Sequence, residues 1–564
     1  MAKQSRNYKG RNGNRNRKPN SKEGKDARSS GAVNSNDWHW HAKSQDLARD
    51  AASISFSNPT GMVVQNFKDF RWANNSAEGV VVPPYALDNG TEYGSVPGIM
   101  SFGLIPTPGM VNDETAAGNV AMRNIYSYVR HANAGSVNYD APDYMMYLLA
   151  MDSVYMFYSF MVRAYGVSNV YYQKNRYYPR AVLLAMGVDP DDITARGADF
   201  RFAINQFAAK INSLYVPDTM DFFKFHSWAT SHYFKDDPSD KSQMYIMSPA
   251  LYYKWSNGTE DIPGTRLVPM QSSVGSNLIG SDSTTSRVLW KIQDMVDFMN
   301  DLLNPLLLNE DVGIMSGDTL KAFKTGKLYS VGEISESFVE LPVYNELVCA
   351  QIHNATVMPS SIIGGVSMIT QNTNIGAGQL LQSIRATMTG FLHEYHFSSS
   401  VILDFSEEEP TPETIIEATR FACIAKSNSA TIDVKTYGTE ILAGVEILAF
   451  TQDEHGVTTD IKNYPHEWVG PALTVDTSGG RASSGVQSAI GTIAFAAAYK
   501  TFDKAPLLPV IAVVYTGTDS NPVAHSFCGY LNNLSNYTTV TEDVLRKTHI
   551  TSALSEFGVP YDVN

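Results

Sequence analysis

The chain has 564 residues, of which 43% are hydrophobic and 11% aromatic, enough apolar material for a folded body of two or more subdomains. Its 57 acidic and 43 basic side chains give a net charge of −14, and its three cysteines are widely spaced. This composition excludes a disulfide framework and a CxxC metal pair, and it is typical of a protein from a reducing compartment.

Positive charge is concentrated at the N-terminus. Residues 1–30 carry ten basic and two acidic side chains, a net of +8, so residues 31–564 carry −22. Because this segment is rich in Asn, Gly and Ser, it cannot bury enough apolar surface to offset the entropy of ordering, and it predicts a disordered basic arm. The start of the chain also lacks the apolar stretch of a signal peptide, and Ala2 stands where myristoylation needs Gly.

A flexible cationic arm predicts RNA binding without sequence specificity, because its charges neutralise phosphates and release counterions. A solvated or targeting tail is the alternative interpretation. The predicted RNA-binding residues are the basic side chains of the arm: Lys3, Arg6, Lys9, Arg11, Arg15, Arg17, Lys18, Lys22, Lys25 and Arg28.

Two features follow the arm. The run Trp38-His39-Trp40-His41 interrupts the polar composition and predicts an anchor, or a base-stacking surface, where the arm meets folded protein. Residues 63–108 are rich in Gly, Pro and Asn, which predicts an extended wrapping segment with few regular elements.

Residues 144–166 are rich in Tyr, Met and Phe on every side, which predicts a buried central helix. The same stretch approaches transmembrane length, but Asp152 and Arg163 lie within it and are unfavourable in hydrocarbon. No stable membrane insertion is therefore expected.

Further helices are predicted from the spacing of apolar residues. Residues 199–215 are amphipathic, and residues 286–303 repeat the pattern from Val288 onward and are expected to stop at Pro305. Thr411 and Pro412 predict a capped helix start, with the helix running to about residue 426. Thr539 and Glu542 have capping-box spacing before a last helix that Gly558 closes.

Strand-like runs of Val, Ile and Leu occupy residues 338–343, 441–451 and 507–515. Together with the helices they predict an α+β fold that is predominantly helical.

Catalytic motifs are incomplete throughout. Gly326-Lys327 lacks the upstream Gly and the following Ser or Thr of a phosphate loop, and residues 479–485 lack the spacing of a nucleophile elbow. His393 and His396, which flank Glu394, form an HxxH pair without a further ligand. We therefore expect no catalytic residue, metal site or cofactor, and a hydrolase using these three residues is a distant alternative.

Two acidic clusters and one aromatic cluster have simpler interpretations than ligand binding. The acidic residues lack calcium-loop spacing and are expected to be solvated turns, and the aromatic cluster is expected to be a subunit contact or core edge in preference to an RNA-stacking surface. The acidic residues are Asp189, Asp191, Asp192, Asp236, Asp237 and Asp240, and the aromatic cluster comprises Tyr171, Tyr172, Tyr177 and Tyr178 with Lys174, Arg176 and Arg180.

Extended sequence stretches resemble one family. The segments YPRAVLLAMGVDPDDI (178–193), FRFAINQFAAKINSLYVP (200–217), FHSWATSHYFKDDPSDKSQMYIMSPALYYKW (225–255) and ELPVYNELVCAQIHNATVM (340–358) are similar to picobirnavirus capsid proteins. Phe225 departs from the expected pattern, because a basic residue is expected immediately before His226.

The resemblance implies an icosahedral virion shell built from interlocked symmetric dimers around double-stranded RNA, assembled in the host cytoplasm. The predicted division is an arm and anchor at 1–62, a shell domain at 63–257 and 431–564, and a smaller β-containing projecting domain at 258–430. One alternative is a nucleoprotein that coats RNA in filaments, which the charge of −22 outside the arm disfavours. Self-cleavage at Asn74-Asn75-Ser76 is a narrower possibility.

Overall fold

The structure is a computed structural model. The residues that it describes are 44–54, 98–109, 111–133, 135, 138–171, 178–239, 242–258, 264–279, 287–372, 378–387, 400–407, 409–428, 431–452, 458–464, 473–476, 499, 502–514, 524–531 and 534–559. The basic arm, the Trp-His anchor, the Asn74 site, residues 479–485 and the pair His393 and His396 lie outside these residues.

The described residues have the predicted α+β composition. The helices are α1 (Gln45–Ala51), α2 (Ala117–Ala132), α3 (Ala141–Ser168), α4 (Tyr178–Ala185), α5 (Pro190–Ala195), α6 (Gly197–Ile211), α7 (Asp221–Ser231), α8 (Ser273–Ile279), α9 (Ile292–Leu307), α10 (Glu310–Phe323), α11 (Glu346–His353), α12 (Pro412–Ala418) and α13 (Glu542–Glu556), with 3-10 turns at Thr325–Lys327 and Ser360–Gly365.

Strands occur between and after these helices. They are β1 (Ile99–Pro106), β2 (Val216–Pro217), β3 (Phe234–Lys235), β4 (Met244–Pro249), β5 (Leu251–Ser256), β6 (Arg266–Gln271), β7 (Leu328–Tyr329), β8 (Val343–Tyr344), β9 (Thr370–Asn372), β10 (Gln379–Leu381), β11 (Arg385–Thr387), β12 (Ser400–Phe405), β13 (Ile424–Asn428), β14 (Thr431–Lys435), β15 (Glu440–Gln452), β16 (Thr458–Tyr464), β17 (Leu473–Asp476), β18 (Leu508–Val514), β19 (Ala524–Leu531) and β20 (Asn536–Thr541).

Helix α3 is the centre of the main core. Asp140 caps its start, with Asp143 completing a capping box and Pro142 in the first turn, and the apolar residues that follow face every direction. By length and composition this helix could cross a membrane, but 94% of its most apolar stretch is buried in the protein. The predicted buried helix at 144–166 is confirmed.

Helix α9 differs from its prediction at both ends. It begins at Ile292, because Asp294 accepts the Lys291 N–H (3.0 Å) and fixes the first turn there, which leaves Val288 outside the helix and half-exposed. It continues past Pro305 to Leu307, because Leu306 is buried in the main core and the hydrogen bond that Pro305 removes is only to the carbonyl of exposed Asp301. The amphipathic helix predicted at 199–215 is confirmed as α6, which ends earlier, at Ile211.

A six-stranded sheet of order β16-β15-β1-β4-β3-β8 lies against the helices. Strand β1 is buried along its whole length and pairs antiparallel with β15 and parallel with β4. Gly103 sits at a register shift, where a Cβ atom would lie 2.8 Å from the Ala443 carbonyl oxygen. The prediction of few regular elements up to residue 108 is therefore wrong for 99–106, because this segment is paired on both edges.

The strand prediction at 441–451 is confirmed by β15 and that at 507–515 by β18. The prediction at 338–343 is wrong for most of its length, because only Val343 and Tyr344 pair, at the edge of the sheet.

A second, smaller core joins α1, α12 and α13 with β12 and β20. Thr411 caps α12 as predicted (Thr414 N to Oγ1, 3.2 Å), but the helix ends at Ala418 and residues 424–428 form β13. The end is early because the chain turns at Thr419 and Ile424 enters the strand pairing with β14. Thr539 belongs to β20, so Thr541 and not Thr539 precedes α13, which Gly558 (φ +73°) follows as predicted.

The division into a shell domain and a projecting domain at 258–430 stays a prediction. Helices α9 and α10 bury residues in the same core as α3, while small sheets β9–β10 and β11–β14–β13 form separately from the six-stranded sheet.

Candidate functional site

The predicted RNA-binding residues all precede residue 44 and lie outside the described chain. The first element that the structure describes after the arm is helix α1, which we call the root of the arm. Ser44 caps this helix by accepting the Leu47 N–H at 3.3 Å. Ala48 and Ala52 are buried in the second core, and Thr548 of α13 donates to the Ala51 carbonyl at 3.4 Å. The root of the arm is therefore attached to the C-terminal helix of the body.

The first acidic cluster is occupied by contacts within the chain. Asp189 caps α5, Asp191 pairs with Arg180 (2.6 Å), and Asp192 pairs with Arg196 (2.5 Å). Asp192 also accepts the Ile292 N–H at 2.7 Å, which joins α5 to the start of α9. These carboxylates organise helix ends.

The second acidic cluster is a turn. Asp236 accepts the Gln243 N–H (3.0 Å) and Asp237 accepts the Ser239 N–H (2.7 Å), whereas Asp240 lies outside the described residues. Across the part of the chain that the structure describes, no group of three or more His, Cys, Asp or Glu side chains could hold a metal ion.

The aromatic cluster is only partly described. The Tyr178 hydroxyl donates to the Tyr233 hydroxyl at 2.9 Å, and its ring belongs to the edge of the main core. Tyr171 has 86% of its surface exposed, and residues 172–177 lie outside the described chain. The cluster therefore combines a core-edge residue with an exposed aromatic residue.

Among the described residues, five charged side chains form a buried network where five segments meet. His226 of α7 lies between two carboxylates, with Nδ1 at 2.7 Å from Asp152 of α3 and Nε2 at 2.7 Å from Glu440 of β15. Arg420, which follows α12, bonds to Glu440 and to Glu556 of α13 (2.8 Å). All five side chains are almost completely buried.

The electrostatics of the network follow from these contacts. Burial disfavours the imidazolium of His226, but Asp152 and Glu440 oppose this effect and raise the pKa of His226 to about 10. Burial raises the pKa of Glu440, yet Arg420 and His226 outweigh it, and the net direction is downward. His226 and Arg420 are therefore cations at neutral pH, and Glu440 is an anion between them.

A small cavity adjoins the network, lined by Gly438, Thr439 and His549 among others. The His549 ring is uncharged at neutral pH, because burial lowers its pKa to about 4. Its Nε2–H donates to the Thr419 carbonyl oxygen at 2.7 Å. The Thr439 hydroxyl contacts Glu440 (2.7 Å) and Glu556 (3.0 Å).

The network can hold segments together but lacks the arrangement of a hydrolytic site. Within the described residues, both ring nitrogens of His226 face carboxylates and no hydroxyl or thiol group bonds to either. A general base needs a nucleophile within hydrogen-bond reach, and a reacting molecule needs access. The contacts therefore support a structural function.

Sequence reasoning noticed one member of the network, Asp152, and one residue that packs against it, Phe225, without connecting them. Asp152 counted only as a charge in an apolar helix, and Phe225 only as a departure from the family pattern. In the structure the Arg420 guanidinium lies over the Phe225 ring, 3.3 Å from its centroid. A basic group therefore does lie beside His226, supplied from a segment about 200 residues further along the chain.

The fold has a counterpart among solved structures. The X-ray crystallographic structure of the picobirnavirus capsid matches with a TM-score of 0.66 and 22% sequence identity, covering 93% of this chain and 98% of that chain. This likeness shows that the two chains share their overall fold.

The sequence comparisons identify the family. A family model described as "Picobirnavirus, Capsid protein" matches residues 40–472. The capsid protein precursor of human picobirnavirus (strain Human/Thailand/Hy005102/-) is 32% identical over 409 residues, which are 69% of this chain and 68% of the relative. The chain belongs to the picobirnavirus capsid protein family, as the resemblance predicted, and it is a virion component.

Proposed function

We propose that this coat protein assembles through symmetric dimers into an icosahedral shell around a double-stranded RNA genome, and that its arm binds RNA without sequence specificity. The protein has no catalytic role, needs no cofactor and assembles in the host cytoplasm. Residues 258–430 form the projecting domain. The observation that carries the proposal is the separation of charge, +8 in residues 1–30 against −22 in the remainder.

The charge separation favours a tethered genome over a coated one. An acidic body repels phosphate, so RNA contact falls to the flexible arm, whose basic side chains release counterions on binding. A nucleoprotein that coats RNA needs basic residues along a groove of its body. In support of a tether, α1 fixes the root of the arm on α13 through buried alanines.

Particle formation is tested by expressing the full chain and treating it with nuclease. We expect closed particles by negative-stain microscopy and an early, nuclease-resistant peak by size-exclusion chromatography. A filament that falls apart after nuclease treatment would favour the nucleoprotein, and a chain that stays monomeric would contradict shell assembly.

The function of the arm is tested with two variants. One lacks residues 1–35, and the other keeps its length but has glutamine at the ten basic arm positions. Both are expected to assemble and to contain much less host RNA, measured as the ratio of absorbance at 260 and 280 nm. Unchanged RNA content in both would contradict the function of the arm.

A further inference from the structure

Residues 331–344 cross the surface of the body as a strap. Asn205 of α6 and Asn212, which directly follows that helix, hold its first half, each through a pair of hydrogen bonds: Asn212 with Val331 (2.9 and 3.0 Å) and Asn205 with Ile334 (3.1 and 2.8 Å). Because positions seven residues apart share one helix face, the strap runs along α6 towards the N-terminus of that helix.

The strap then passes over the C-terminal end of α3. The Tyr165 hydroxyl donates to the Glu336 carbonyl (3.0 Å), and the Asn169 amide donates to the Phe338 carbonyl (3.0 Å). Gly166 permits this approach, since a Cβ atom there would lie 2.6 Å from the Phe338 ring. The strap ends as β8, the edge strand of the six-stranded sheet.

The second half of the strap has an inverted alternation of side chains. Successive side chains of an extended chain point to opposite sides, and a surface segment of a soluble monomer normally turns its apolar side inward. Here Glu340 is buried, 3.8 Å from His232 Nε2, whereas its neighbours Val339 (42%) and Leu341 (57%) are exposed. The chain thus buries a carboxylate and leaves an apolar surface outside.

Three further exposed apolar side chains lie on the strap itself or on segments that bond to it. Tyr171 follows Asn169, which bonds to the strap, and Phe202 is exposed by 69% one turn before Asn205. Tyr344 is exposed on the edge strand. We call these five exposed side chains the apolar patch: Tyr171, Phe202, Val339, Leu341 and Tyr344.

The size of the apolar patch fits the centre of an interface. An aromatic side chain has roughly 200 Å² of surface, so the three aromatic residues alone expose on the order of 400 Å². A standard interface buries about 800 Å² on each partner, with an apolar centre and a polar rim.

The charged residues near the apolar patch distinguish between the molecules that could bind it. Glu333 and Glu336 are exposed on the strap, and Arg201 of α6 lies one turn from Asn205. Two carboxylates disfavour RNA and an anionic membrane, whereas a surface with both signs of charge can match its own copy across a two-fold axis.

We propose that a second copy of this chain covers the apolar patch in the shell. The inference rests on the proposed self-assembly and adds the surface that carries it. Burial of Val339 and Leu341 between copies gives the strap the apolar neighbours that the described part of its own chain does not provide.

The test compares charged substitutions inside and outside the patch. Phe202→Glu and Leu341→Glu place a carboxylate within it, and Tyr171→Ser removes an aromatic ring that touches little of its own chain. Leu308→Glu is the matched control, because Leu308 is 85% exposed at the opposite end of α9 from the Asp192 contact. Circular dichroism and thermal unfolding of dissociated subunits check that each variant folds.

Phe202→Glu and Leu341→Glu are expected to fold normally and to lower particle yield at least about tenfold, since a carboxylate buried without a partner is strongly unfavourable. Tyr171→Ser is expected to fold normally and to lower particle yield by a smaller factor, because it removes apolar contact area without burying a charge. The control is expected to assemble like the parent chain.

Normal assembly of the patch variants, or an equal loss of particle yield in the control, would overturn the inference. Normal assembly with lower RNA content would identify RNA as the occupant and also overturn it. If the parent chain itself fails to assemble, it is the proposed function that is contradicted.

Discussion

The interior of the body and its outer strap differ in how their charged and apolar side chains are placed. Charged side chains are buried and paired in the interior, whereas apolar side chains are exposed on the strap. Inside, His226 and Arg420 are surrounded by carboxylates from distant segments, so the chain compensates its own buried charges. On the strap, Val339 and Leu341 face outward with no comparable cover. The difference indicates that the interior determines the stability of one subunit, whereas the strap depends on a neighbour.

A third buried cation adds to this comparison. Arg163 of α3 is completely buried and bonds to the carbonyls of His232 (2.8 Å) and Met247 (2.9 Å) and to the Ser248 hydroxyl (2.6 Å). Burial lowers the pKa of Arg163 to about 10, so it stays charged at neutral pH. Uncharged carbonyl and hydroxyl oxygens surround Arg163, whereas carboxylates neutralise His226 and Arg420 in the network.

The largest expected effect comes from breaking the network. Glu440→Ala leaves His226 and Arg420 buried without their shared anion and should lower the free energy of unfolding by about 3–5 kcal/mol. Urea unfolding of dissociated subunits, followed by circular dichroism, measures it. The control is Asp301→Ala, whose exposed pair with Lys254 should contribute about 0–1 kcal/mol. Equal losses of unfolding free energy in the two variants would show that the buried network contributes no more to stability than an exposed ion pair.

A matched pair of leucines tests the interior against the strap. Leu148→Ala in α3 should cost about 3 kcal/mol of unfolding free energy, because it leaves a cavity in the main core. Leu341→Ala should change the same quantity by less than about 0.5 kcal/mol in dissociated subunits. Comparable destabilisation by the two changes would mean that the strap leucine is part of the subunit core.

The buried carboxylate of the strap should make stability depend on pH. Burial raises the pKa of Glu340 from 4.5 to about 8, against the influence of Arg163, so the folded state holds the proton more tightly than the unfolded state. Its contribution is therefore favourable at low pH and declines as pH rises from about 4.5 to 8. Glu340→Gln should remove this decline and stabilise the subunit at pH 9 by on the order of 2 kcal/mol. Unfolding curves at pH 5, 7 and 9 that remain parallel for the two proteins would contradict this.

The smallest expected effect concerns the root of the arm. Ser44→Ala removes the cap of α1 and should weaken that helix by about 1 kcal/mol. Hydrogen exchange of the α1 amides should accelerate while the α3 amides remain unchanged. Ser44→Thr, which keeps a hydroxyl that can accept the Leu47 N–H, is the control and should leave the exchange of the α1 amides nearly unchanged. Unchanged exchange in the first variant would mean that packing alone holds the root.

Local sequence patterns predicted the elements that depend on neighbouring residues. Helix α3 is apolar on all sides and starts with an Asp-Pro cap, and β15 is a long run of β-branched and apolar residues, so both were found. The network was not, because its five members come from five segments and each resembles an ordinary surface charge. Residues 338–343 of the strap were predicted as a strand, of which only Val343 pairs, and only the structure shows that Glu340 is buried while Leu341 is exposed.

The most direct test compares hydrogen exchange in dissociated subunits and assembled particles. The amides of α3 should be protected in both states, because the chain itself buries that helix. The amides of residues 336–344 should exchange readily in the subunit and become protected in the particle. Equal exchange of residues 336–344 in the two states would contradict the account of a coat protein whose outer strap is completed by a second copy.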